Sequence, residues 1–184
     1  MRVRLREAIR NKIQFYFIEA KKNGYEGLLF RQANSVKDKL NEFSIGKEIV
    51  FGKEYPVNTP YTGQKSYRNH FYELIGDMNG EEEECAAIID GHSNVAFWIR
   101  NLERQEHFSF WLQTSTDKFY PDFLVKLKTG MVVAVEYKGT DRYGNPDSVE
   151  KRQIGEFWET ISAKKCRFIM LNGKDWGALR SKLA

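Results

Sequence analysis

Cysteine is scarce: the 184 residues hold Cys85 and Cys166, far apart and without a CxxC pair. Neither a disulfide framework nor a zinc site is suggested by that pattern, and a reduced compartment is the expectation. No run of 18 apolar residues occurs, so no membrane-spanning helix is expected. The opening Met1-Arg2-Val3-Arg4-Leu5-Arg6 has no apolar stretch behind its charges, so no secretory leader is expected and the expected location is cytoplasmic. No G-x-x-x-x-G-K-[ST] loop is present, and an ATP site in this chain is therefore not expected. Charge of one sign is also in short supply. Seven basic side chains against two acidic ones put residues 1–22 at +5, which leaves the rest at −1 within the total of +4. Such a balance permits nucleic-acid binding without arguing for it.

What is present is 41% hydrophobic and 29% charged, enough to bury a real core. Leu5, Ile9, Ile13 and Phe17 fall four apart and predict a basic amphipathic helix ending near Asn23-Gly24. Residues 44–75 read as turns with short strands. Residues 1–75 are thus expected to form a helical and turn-rich extension packed on a core at 76–184. In that core, Asn79-Gly80 and the run Glu81–Glu84 before Cys85-Ala86-Ala87-Ile88-Ile89 mark a helix start. Strands are expected at Phe108–Thr114, Phe119–Lys128 and Met131–Lys138, with a helix over Glu150–Ala163 and a last strand at Cys166–Leu171. The class is α/β (α+β), a mixed central sheet flanked by helices.

Glu136 and Lys138 sit two apart and project to one face of an otherwise apolar strand, where charges need a partner or a task. Hairpin geometry supplies the partner. A two-residue turn at Thr129-Gly130 would set Asp122 and Glu136 on opposite faces. A three-residue turn, Lys128-Thr129-Gly130 with Gly130 left-handed, sets them directly opposite, Cβ atoms about 5 Å apart. The glycine favours the second register. Facing carboxylates repel unless a divalent cation lies between them. With Lys138 along the same face, this is a minimal phosphodiester-hydrolysing site. A third carboxylate is expected from the helix before it: Glu82, because it shares a face with Ala86 and Ile89, with Glu83 second. The bland alternative is a surface ion pair between Glu136 and Lys138.

Pro121-Asp122 with Glu136-Tyr137-Lys138 resembles the signature of the PD-(D/E)xK nucleases. Together with Asn69-His70-Phe71-Tyr72, Gly80–Ala86, Trp98–Leu102, Ser109–Thr114, Phe119–Phe123, Val135–Gly139 and Glu150–Gly155, it resembles the C-terminal endonuclease region of type III restriction Res-like proteins, across roughly residues 45–171. The resemblance implies a restriction-endonuclease-like αβββαβ core. It implies Mg²⁺, for which Mn²⁺ can substitute, held by Asp122, Glu136, the Tyr137 carbonyl and Glu82. Asp122, Glu136 and Lys138 would be the catalytic set, and Lys151 would touch DNA phosphate. The implied partners are DNA, a helicase/ATPase motor and a Mod-like methyltransferase. Such proteins are fused to a motor, and this chain has none. A catalytically silent DNA-binding or docking module is the rival reading.

Other residues have ordinary readings. His70, His92 and His107 lack metal spacing and are expected to be structural or on the surface. Trp98, Phe110, Trp111 and Trp158 are expected in the core. The loop Gly139–Ser148 is either a flap whose Arg142 reaches phosphate or a passive connection.

Overall fold

The computed structural model describes residues 55–105 and 108–184. The expected helix over residues 3–22 and His107 lie outside them. The chain divides into two compact units, residues 1–48 with 113–117 and residues 49–112 with 118–184. In the first, the described stretch Gln113–Asp117 closes a turn in which the Thr114 N–H donates to the Asp117 carbonyl at 2.8 Å.

In chain order the described elements are α1 (Gly80–Asp90), β1 (Val95–Arg100), β2 (Leu112–Gln113), β3 (Lys118–Phe119), β4 (Phe123–Leu127), β5 (Val132–Lys138), α2 (Pro146–Ile161), β6 (Cys166–Asn172) and α3 (Trp176–Leu183). The main sheet has the order β1-β4-β5-β6. Its first two pairings are antiparallel and β5–β6 is parallel, with α2 as the crossover. The molecule is therefore mixed α and β, a mixed sheet flanked by helices, as the sequence predicts. Among the described residues no helix is long and apolar enough to cross a membrane.

One sheet face carries Trp98, Phe123, Val125, Val133, Val135 and Tyr137, packed against Cys85, Ala86 and Ile89 of α1 and Leu179 and Leu183 of α3. The α2 layer is close against β6: a Cβ on Gly155 would come within 2.3 Å of the Phe168 ring. Residues before α1 reach β1 through a bridge from His70 to Trp98 and are pinned by Asp90, which accepts from the Arg68 and Asn69 N–H groups.

The expected strand at Phe108–Thr114 is a correction. Only its end, Leu112–Gln113, is extended, and the first strand of the main sheet is Val95–Arg100. The cause is Asn101. Its side-chain amide donates to the Phe110 carbonyl at 2.8 Å and accepts the Phe110 N–H at 3.0 Å, so one side chain takes the place of a ladder. Helix α2 starts at Pro146, ahead of the expected Glu150. Asn145 caps it by accepting the Ser148 N–H at 2.7 Å, and Pro146 occupies a position that needs no donor. Trp98 and Trp158 are buried as expected, whereas Phe110 and Trp111 are half-buried.

Candidate functional site

The β4–β5 turn comprises Lys128, Thr129 and Gly130. Gly130 has φ of 89°, and the Leu127 N–H donates to the Met131 carbonyl. Every pair of the ladder, from Lys126–Val132 to Phe123–Val135, follows the three-residue register. Continued by one residue, it sets Asp122 opposite Glu136. Asp122 lies just before β4, where the pleat no longer dictates its side chain. One oxygen, Oδ2, accepts the Tyr137 N–H at 2.7 Å. The other, Oδ1, accepts from Arg100 Nη1 at 2.8 Å.

Glu136 is 3% exposed. Its Oε1 meets Lys138 Nζ at 2.5 Å, while its Oε2 is buried without a hydrogen-bond partner among the described residues. Burial pushes the Glu136 carboxyl up to about 8, the Asp122 charge pushes the same way, and Lys138 and Lys151 pull it back. Burial works against the Lys138 ammonium too, but Glu136 outweighs it and holds Lys138 above the ordinary lysine range. The two titrate as a pair, with the lysine charged at neutral pH.

The four glutamates of α1 go four ways. Glu81 faces the Tyr137 hydroxyl, Glu83 pairs with Lys65 at 3.8 Å, and Glu84 pairs with Lys174 at 2.8 Å. Glu82 alone of the four turns to Asp122's neighbour Arg100, whose Nη2 it accepts at 3.0 Å. Its other oxygen accepts the Asn79 N–H at 2.9 Å and closes a capping box. Burial raises the Glu82 carboxyl, as does Asp122, against the pull of Arg100.

Arg100 is the site residue that sequence reasoning missed. Its guanidinium donates to Glu82, to Asp122 and to the carbonyls of Asp77 and Asp122, and it lies over the Phe123 ring at 5.3 Å. Its backbone is held as well: its N–H donates to His70 Nε2, and its carbonyl accepts the Tyr55 hydroxyl. Its charge closes the strand Val95–Arg100, a segment whose sequence pattern does not mark it as a strand. His70 donates from Nδ1 to the Tyr72 carbonyl, a structural role in keeping with expectation.

Lys151 and Arg142 both approach the cluster. Lys151, on the first turns of α2, acts on the charge of Glu136, pairs with Asp147 at 2.7 Å and lies 5.8 Å from the Phe119 ring. Arg142, exposed in the loop after β5, acts on the charge of Lys138. Among the described residues no three His, Cys, Asp or Glu side chains converge as a metal-holding group. Arg100 and Lys138 stand among the carboxylates instead. The donor chemistry nevertheless fits a hard divalent ion: Asp122 and Glu136 offer oxygens only, and the Glu136 Oε2 is orphaned. A cleft of about 620 Å³ lies away from all of these residues, lined by Lys65, Arg68, Asp90, His92 and Lys128 among others.

Comparison with family models, with curated proteins and with solved structures yields no match for this chain.

Proposed function

We propose that the chain is a metal-dependent DNA endonuclease domain hydrolysing phosphodiester bonds, similar to the cleavage domain of type III restriction Res subunits and built on a restriction-endonuclease-like core. The observation that carries this reading is the Glu136 Oε2, buried and without a hydrogen-bond partner among the described residues, one step beyond the β4–β5 ladder and beside a charged lysine. A buried carboxylate oxygen without a donor is costly in a merely structural site and is the group a cation satisfies. The helix, three-strand antiparallel run, crossover helix and parallel strand also support the reading.

Asp122, Glu136 and the Tyr137 carbonyl would hold Mg²⁺ or Mn²⁺, with Glu82 completing the set. When bound, that ion supplies Lewis-acid polarisation of a phosphate oxygen and acidifies a bound water. Lys138, charged at neutral pH, offsets the negative charge that develops on the phosphoryl group; it is an electrostatic stabiliser rather than a base. Lys151 and Arg142 bind neighbouring phosphates and carry no sequence information. A cytoplasmic setting, a helicase/ATPase motor and a Mod-like methyltransferase as partners belong to the same proposal.

The test is nicking of supercoiled plasmid with Mg²⁺ by the wild-type chain and by Lys138→Ala. The variant should remain folded and cut about 100- to 1000-fold more slowly. The wild-type rate should be indifferent to ATP. One observation favours the second reading, a catalytically silent DNA-binding or docking module: Arg100 and Lys138 already pair with the carboxylates of the acidic cluster. DNA retained in a gel shift with no metal-dependent cleavage would select it.

A further inference from the structure

We infer that Arg100 is an internal competitor for the divalent cation, holding Asp122 and Glu82 together while the ion is absent and setting how tightly the site takes it. The inference rests on the reading that Asp122 and Glu136 hold such an ion. Its grounds are geometric. A single guanidinium spans both carboxylates, with Nη1 at 2.8 Å from Asp122 Oδ1 and Nη2 at 3.0 Å from Glu82 Oε1. Its Nε donates to the Asp77 carbonyl at 3.2 Å, and its side chain is 15% exposed, so it is fixed in place rather than resting on the surface.

The charge balance points the same way. With all three carboxylates ionised, as they must be to hold an ion, Glu82, Asp122 and Glu136 stand against two cations, Arg100 and Lys138, which leaves the cluster at −1. Lys151 is already matched by Asp147. A divalent ion overfills a deficit of one and is repelled by a guanidinium that shares its ligand. Without Arg100 the deficit is two, the charge of one such ion. The carboxylates would then repel each other until an ion arrived. Arg100 is accordingly a positioning residue: it keeps the two ligands in place for the ion and lowers the affinity of the site by remaining beside it.

Calorimetric titration of the full chain with Mn²⁺ alone tests this in wild type, Arg100→Gln and Arg100→Lys. Arg100→Gln should bind roughly tenfold more tightly or better, since a like charge at contact distance has been removed. Its melting temperature should rise further on ion addition than that of wild type. Arg100→Lys keeps the charge and should restore an affinity close to wild type, which loss of packing alone would not do. Equal or weaker binding by Arg100→Gln, with wild type binding normally, overturns this inference and leaves the nuclease reading standing. Absence of binding in all three proteins overturns both. Should Arg100→Gln fail to fold, the wild type decides: the guanidinium N–H resonances of Arg100 should shift as Mg²⁺ saturates the chain. Unmoved resonances at saturation overturn the inference.

Discussion

Glu136 shows what one residue carries. Its carboxyl is raised in the folded chain by burial and by Asp122, so the native state keeps a proton that the unfolded chain gives up near the ordinary glutamate range. Stability of the ion-free protein should therefore fall as pH rises from that range through about 8, where the folded group titrates. One proton sets a ceiling of about 1.4 kcal/mol per pH unit on this slope. Denaturant midpoints at pH 5.5 and 8.5, measured in chelator, should converge when Glu136→Gln is compared with wild type. An equal pH dependence in both proteins would remove Glu136 as the source. The charge on an apolar strand was legible in the sequence because local pattern alone reveals it. Arg100 was overlooked because its meaning depends on Glu82 and Asp122, which reach it from two other elements.

At the scale of elements, the β4–β5 hairpin was readable to the register. A glycine in the third loop position specifies a left-handed residue, and that fixes which side chains face one another. Gly130→Ala should destabilise the chain by about 1–2 kcal/mol through its positive φ, because a Cβ there meets no neighbour that could clash. Gly130→Asn should cost less. A neutral alanine variant in thermal melts would show that the turn does not set the register. Strand β1 was not readable as a strand. Val95–Arg100 has burial on both faces and a register irregularity near its start, so it lacks the clean alternation that marks a half-exposed strand. Phe108–Thr114 has the stronger β composition and mostly fails to form a strand, because Asn101 claims its backbone groups. In α1, composition announced the helix start and the face shared with Ala86 and Ile89 favoured Glu82; packing then sends its three neighbours to other partners.

At the scale of the molecule, the parallel β5–β6 pair has a functional consequence. A parallel neighbour demands a crossover, and the crossover helix α2 brings Lys151 to Glu136 from a direction no hairpin could supply. The candidate site thus gathers at one end of the sheet: the start of α1, the end of β1, the approach to β4 and the end of β5. The cleft bordered by Asp90, Val95 and Lys128 sits at the other end of these same elements. Glu82 belongs to both a helix end and the site, since one of its oxygens holds the Asn79 N–H and the other holds Arg100. Any ligand that draws this carboxylate away uncovers a backbone amide. Deuterium should then enter at Asn79 sooner in the Mg²⁺-loaded chain than in the ion-free one, and equal uptake would mean that Glu82 never leaves its helix. A main-chain proton at the start of α1 thereby becomes a clock for occupancy at the far end of a side chain.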